Sequence, residues 1–296
     1  LLNYAHDAYV VNGRVKETHQ SNDSVKADEV KISIEKSNNY DGYQVTSSVA
    51  STVKKSETAK IGESGADQYL FTYAEMLLQL NDDDDEITIL SIVPAGSNKT
   101  EEFAAEDYAD DADNAYDKAT AGSATGTMYS YVSGSDTKKT SYKLDLDKLS
   151  NPDKGGFYVN GVQVTGTLKD NVDRYIKGNA TGTVTLIDSP EDGTSSTDGK
   201  YDYIMVSYYQ TAVVDSVTGD DEECTIIFSE MQVDSSSLDV DTTDEDKYYS
   251  FKLTDGTAIK PTELKENDVL SIAYTGNDFS SSNSYNVIVS RDTVEG

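Results

Sequence analysis

Short apolar runs, each closed by turn residues, recur along the chain, and few of them continue with a helical period. Tyr9–Val11, Val30–Ile34, Ile87–Val93, Thr183–Ile187, Tyr201–Val206 and Tyr285–Val289 are rich in β-branched and aromatic residues. Such side chains suit a pleated, half-buried surface. Asn12-Gly13, Asp41-Gly42, Asn160-Gly161, Asp192-Gly193, Asp198-Gly199 and Asp255-Gly256 supply pairs that accept the left-handed backbone of a tight turn. Only 4 Pro are present, so few runs are forced to a sheet edge. The pattern predicts a mainly antiparallel β chain with less than about a fifth of its residues in helix.

Residues 69–80 fit strand or helix by periodicity alone, and the acidic turn and clear strand that follow favour strand. Glu263–Asn267 reads as one turn leading into a strand over Asp268–Ile272. Glu101–Lys118 is Ala-rich, with Phe103, Tyr108 and Ala112 near helical spacing, but its charge is almost all acidic. One-signed charge at i,i+4 weakens a helix, so both a short helix and an extended coil stay open there. Three segments share a strand, acidic tip, strand plan: 73–93, 183–206 and 269–290. Duplication and shared hairpin physics both account for it. The expected architecture is two antiparallel β-sandwich or barrel-like domains, 1–104 and 125–296, joined by an acidic connector over 105–124.

Charge then narrows the function. Against 24 Lys+Arg stand 54 Asp+Glu, a net charge of −30. Binding nucleic acid by displacing counterions from phosphate requires the opposite sign, and an anionic membrane surface is disfavoured for the same reason. No run approaches the ~20 apolar residues of a membrane-spanning helix. A single Cys, Cys224, gives no disulfide within the chain. The start at Leu1 and the end just after a strand-like run read as the inside of a longer polypeptide.

Catalytic motifs are scarce. His6 and His19 are the two histidines, too few for a histidine-rich zinc site and better read as solvated. No nucleophile elbow and no phosphate-binding loop appears, and paired carboxylates for glycoside cleavage can be drawn at will from so many acids. Asn22, Asn98 and Asn179 stand in glycosylation-type tripeptides, as chance expects at this composition. Oxygen ligands are the exception. Asp82, Asp83, Asp84 and Asp85 fill an expected hairpin tip, and Asp239, Asp241, Asp244 and Asp246 form a second cluster. Calcium takes six to eight oxygens in flexible geometry, which clustered loop carboxylates suit. A plainly solvated acidic surface is the competing account.

Val184–Asp188, Asp198–Asp202 and Tyr208–Val217 together resemble a stretch of large clostridial surface proteins that carry S-layer homology modules. Leu264–Ile272 and Val287–Gly296 match the same style, and Val10–Gly13, Tyr40–Gly42 and Asp82–Pro94 match it more loosely. The chain holds none of the anchoring modules, and its Asp188–Asp202 turn is longer and poorer in Asp than that family's. The resemblance implies a structural, non-enzymatic segment of an extracellular bacterial surface layer or fibre. Its copies would assemble into a lattice or filament, with cell-wall polysaccharide reached through modules outside this chain. An adhesin or carbohydrate-binding module is the alternative, supported by Tyr201, Tyr203, Tyr208 and Tyr209.

Overall fold

A computed structural model describes residues 8–18, 25–26, 28–37, 56–62, 66–80, 86–118, 122, 124–151, 154–179, 182–190, 197–244, 247, 249–274, 279 and 284–291. Among the described residues, strand makes up 53% and helix 10%, so the fold is mainly β with little helix, as expected. Its strands fall into three successive modules, each with its own apolar cluster.

The first module is a closed barrel of β1 (Ala8–Thr18), β2 (Glu29–Ser37), β3 (Ser56–Lys60), β4 (Tyr73–Leu80) and β5 (Ile87–Pro94), in the order β1-β2-β3-β5-β4. Val11, Val15, Ile32, Met76, Leu78 and Ile89 fill it, and residues 73–80 are indeed strand. Asn12-Gly13, expected as a turn, lies inside β1 at a register shift against β2. A Cβ on Gly13 would sit 1.8 Å from Ser33 O, so this glycine serves a close backbone approach, not a hairpin.

The middle module contains β6 (Lys99–Ala104), β7 (Thr125–Tyr131), β8 (Lys139–Asp145), α1 (Leu146–Leu149), β9 (Gly156–Val159), β10 (Val162–Gln163), α2 (Leu168–Tyr175), β11 (Thr183–Asp188) and β12 (Tyr203–Val206). Its sheet order is β10-β9-β12-β11-β6, with β7 and β8 as a separate hairpin. Residues 99–104, assigned to the first domain on sequence grounds, pair with β11 here. Residues 105–118 do not behave as a free connector. A 3-10 turn over Ala105–Asp107 leads to bridges Tyr108↔Ser130 and Ala115↔Thr127. Ala109 is fully buried, and the Tyr108 and Tyr116 hydroxyls meet at 2.9 Å. Glu106, Asp110, Asp113 and Asp117 are exposed, whereas Ala105 and Ala109 are buried and Tyr108 and Tyr116 half-buried, an outcome that needs no long helix.

The third module is one sheet of β13 (Gln210–Gly219), β14 (Glu223–Met231), β15 (Ser237–Asp241), β16 (Tyr249–Leu253), β17 (Val269–Tyr274) and β18 (Tyr285–Ser290), ordered β15-β14-β13-β17-β18-β16. All three predicted strand–tip–strand segments form antiparallel pairs, β4–β5, β11–β12 and β17–β18. The pairings β9–β12, β16–β18 and β3–β5 are parallel.

The links between modules are short and clamped. Between Pro94 and Lys99, the Asn98 amide donates to Tyr73 O (2.9 Å) and Ala95 O (2.7 Å), and its oxygen accepts from Tyr73 N (3.1 Å). Between Val206 and Gln210, Asn160 donates to Tyr208 O and Tyr274 O (3.1 and 3.2 Å) and accepts from Tyr208 N (2.9 Å). Barrel and middle module also share an aromatic knot. Phe71 stacks on Tyr203 at 4.7 Å between ring centroids and leans on Tyr158 at 4.2 Å. Phe71 has φ 61, which costs about 1–2 kcal/mol for a residue with a Cβ. Complete burial of its ring contributes about 1.5–3 kcal/mol, enough to offset that strain.

Candidate functional site

Chemistry-bearing side chains converge in two described places: a buried carboxylate group in the middle module and an aromatic cleft at its border with the third.

The carboxylate group is built by backbone ties. β8 runs into α1 through Asp145, whose Oδ1 accepts from the backbone N–H of Asp147 and Lys148, both at 3.0 Å. This N-cap satisfies donors the helix leaves open. Asp145 N donates to Tyr201 O at 3.0 Å, and Tyr201 N to Lys143 O at 2.8 Å, so the end of β8 lies beside the entry to β12. Asp202 N closes the β11–β12 pair on Ile187 O at 2.8 Å. Gly155 permits the closure, since a Cβ there would lie 2.2 Å from Asp202 O. The result places one carboxylate oxygen from each of Asp145, Asp198 and Asp202 within 4.8 Å of one another. Asp188 borders them, its Oδ2 accepting from Gly199 N at 3.0 Å.

Two lysines face this group. Lys148 Nζ lies 3.1 Å from Asp202 Oδ1, and Lys200 Nζ lies 3.3 Å from Asp198 Oδ2 and 3.7 Å from Asp145 Oδ2. Asp188 and Asp202 are only 1% and 2% exposed, yet Asp188 Oδ1 and Asp202 Oδ1 each make no hydrogen bond. Lys148 meets the latter as an ion pair at 3.1 Å. Burial pushes the Asp202 carboxyl up to about 7, against the pull of Lys148 and the Ser189 N–H. Burial, and then the Asp198 charge, pushes Asp188 up, opposed by the Gly199 N–H, Thr197 and Lys99. Both folded values lie above an unfolded value near ~3.9. Their stabilising contribution is therefore full below that value and is lost as pH rises through the folded one. Asp202 and Asp188 are charges the fold holds at a cost.

The cleft, of about 260 Å³, is lined by Tyr175, Tyr208, Tyr274, Phe279, Arg174 and Asp234 among others. Tyr175 and Tyr208 meet edge to face at 5.7 Å, as do Tyr274 and Phe279 at 5.4 Å. Of the tyrosines cited for sugar stacking, Tyr203 is buried in the aromatic knot, whereas Tyr208 lines this cleft.

Of the eight sequence-based metal candidates, Asp239, Asp241 and Asp244 lie among the described residues. Asp82, Asp83, Asp84, Asp85 and Asp246 lie outside the described residues, as do His6, His19 and Asn22. Asp239 Oδ1 accepts from Thr225 Oγ1 at 2.8 Å. Asp241 Oδ1 is taken by the N–H and hydroxyl of Thr243, at 2.9 and 2.7 Å. Asp244 pairs with Lys247 at 2.8 Å. Among the described residues, Asp239, Asp241 and Asp244 form no three-carboxylate group, because Asp239 answers Thr225 across the β14–β15 ladder while Asp241 and Asp244 answer neighbours along their own turn. Asn98 and Asn179 both spend their amides on backbone, Asn179 on Tyr175 O and Ser207 O, so neither offers itself to a glycan. The burial of Cys224 pushes its thiol up, which makes it a packing residue rather than a nucleophile.

Sequence reasoning singled out the Asp188–Asp202 turn through the resemblance but did not find the Asp145, Asp188, Asp198 and Asp202 group. Three of these stand at the ends of one predicted hairpin, but Asp145 is brought in by a parallel bridge between Leu144 and Tyr201. The one local sign was Asp145 followed by Leu-Asp-Lys-Leu, an N-cap pattern. The chain matches no protein-family model, no curated protein and no solved structure.

Proposed function

We propose that the chain is a structural, non-enzymatic segment of a bacterial cell-surface protein, an S-layer or surface fibre. It works outside the cell by associating with copies of itself into a lattice or filament. One observation carries this reading: three β modules, each with its own apolar cluster, follow one another through links of residues 95–98 and 207–209, each clamped by an asparagine amide, and the first two also share the Phe71 knot. Short links with satisfied backbone groups resist bending, and a stiff series of modules keeps a fixed spacing under load. The sheet edges bear on how copies meet. β6 exposes Lys99, Glu101 and Glu102, and β15 exposes Asp239, charges that oppose strand-to-strand pairing between copies. Side-chain contacts are the favoured route, with acidic patches neutralised by basic residues or by divalent cations. Analytical sedimentation and electron microscopy of the concentrated chain test this. Ordered assemblies are expected, and a monomer at every concentration, with and without calcium, overturns it.

The aromatic cleft favours a second reading, an adhesin or carbohydrate-binding module. Tyr208 and Tyr274 offer ring faces and edges to a sugar, beside the charged groups of Arg174 and Asp234. Saturable binding of a defined glycan, lost in Tyr208→Ala, would carry this reading over the first.

A further inference from the structure

The buried carboxylate group of the middle module is short of positive charge and of hydrogen-bond donors. Four carboxylates, Asp145, Asp188, Asp198 and Asp202, face two ammonium groups, those of Lys148 and Lys200. Lys99, opposite Asp188 in the β6–β11 ladder, is exposed and adds little. Independently of this count, Asp188 Oδ1 and Asp202 Oδ1 are buried acceptors without a hydrogen bond. Buried polar atoms are almost always satisfied, and an orphaned one points to an absent partner. Lys148 Nζ answers Asp202 Oδ1 with charge at 3.1 Å, but nothing donates to Asp188 Oδ1. A divalent cation answers charge and lone pairs together.

We propose that Asp145, Asp198 and Asp202, closed by Asp188, bind one calcium ion where the end of β8 meets the β11–β12 turn. The donors are all carboxylate oxygens, which suit hard cations and not zinc. Calcium sheds its water for such a cage, whereas magnesium retains several waters. Asp145 keeps Oδ1 on its helix cap and gives Oδ2, while Asp198 keeps Oδ1 on the Lys200 N–H and gives Oδ2. Lys200 is only part-buried and swings to water, whereas Lys148, 9% exposed, stays beside Asp202. The ion joins two segments distant in sequence, the β8–α1 corner and the β11–β12 turn. The site is internal to one chain and does not rest on the surface-layer reading.

Calcium titration calorimetry and thermal melts of the full chain test it, with matched sodium chloride and magnesium as controls. One equivalent of calcium is expected to bind and to raise the melting temperature by several degrees. Asp188→Asn keeps an acceptor for Gly199 N but removes a buried charge. It should melt at or above the wild type in chelator and bind calcium at least about tenfold more weakly. Asp198→Asn, at the exposed rim, should lose calcium binding with the fold intact, which covers the case in which Asp188→Asn fails to fold. A double Asp239→Asn, Asp241→Asn variant should keep the wild-type response. The proposal is overturned if the wild type shows no calcium binding, or responds equally to magnesium. It is also overturned if Asp198→Asn binds as the wild type does, or if the Asp239/Asp241 variant is the one that loses the ion.

Discussion

Two sets of aspartates in this chain live under opposite rules. Asp188 and Asp202 are sealed between strands, and burial raises both carboxyls. Asp220, Asp241 and Asp255 sit on turns of the third module, where nearby N–H and hydroxyl donors hold them below the usual carboxylate range. The second set stabilises the fold by being charged; the first is tolerated with help from Lys148 at Asp202 and from the Gly199 N–H, Thr197 and Lys99 at Asp188. Density of acids along the sequence marks the second kind. What makes an acid consequential is the lack of local donors around a buried oxygen, and that is a property of the fold.

The sharpest break in this comparison is Lys148→Met. It leaves Asp202 without its close counter-charge at a 2% exposed site, and removing one partner of a buried pair costs about 3–5 kcal/mol. Urea unfolding at neutral pH should show that loss. A change under about 1 kcal/mol would mean that the Lys148–Asp202 pair is far better solvated than its burial implies. Asp145 separates charge from capping at smaller scale. Asp145→Ala removes the acceptor for two helix N–H groups and should cost about 1 kcal/mol, while Asp145→Asn keeps that acceptor and should recover most of it. Equal losses in the two variants would assign the whole effect to the charge facing Lys200.

Much of the fold was legible because strand propensity and turn chemistry act locally. Ile87–Val93 and Tyr285–Val289 read as strands and are strands, and Asn160-Gly161 reads as a turn and has both residues at positive φ. Glycine misled where its role was long-range: Gly13 looked like a turn but accommodates Ser33 across a ladder. Module membership failed similarly, since Lys99–Ala104 joins β11 through pairing that no local pattern encodes. The parallel pairing of β9 with β12 depends on the crossover between them. The candidate site was illegible for the same reason. Asp198 was visible beside Gly199, with Asp202 three residues on, but Asp145 stands more than fifty residues away with no Gly beside it. Conversely, Asp239, Asp241 and Asp244 drew attention by crowding, and crowding along a chain says nothing about convergence in space.

The smallest effect tests the exposed side of the comparison. Asp220 Oδ1 accepts from the N–H of Glu222 and Glu223 (3.0 and 3.1 Å), Asp241 Oδ1 from Thr243, and Asp255 Oδ1 from the Thr257 N–H (2.9 Å). These bonds are lost in the unfolded chain, where the carboxyls return to about 3.9. Folded values below unfolded ones mean that the contribution is fully present above about pH 4 and is lost as pH falls through the folded values. Asparagine accepts the same bonds without charge. A triple Asp220→Asn, Asp241→Asn, Asp255→Asn variant should thus melt slightly below the wild type at neutral pH, and the gap should close on acidification. All three are surface groups, so added salt should narrow the gap as well. If the gap instead widens toward acid, these turn aspartates are not what stabilises the folded third module at neutral pH. The difference between the two sets would then reduce to burial alone.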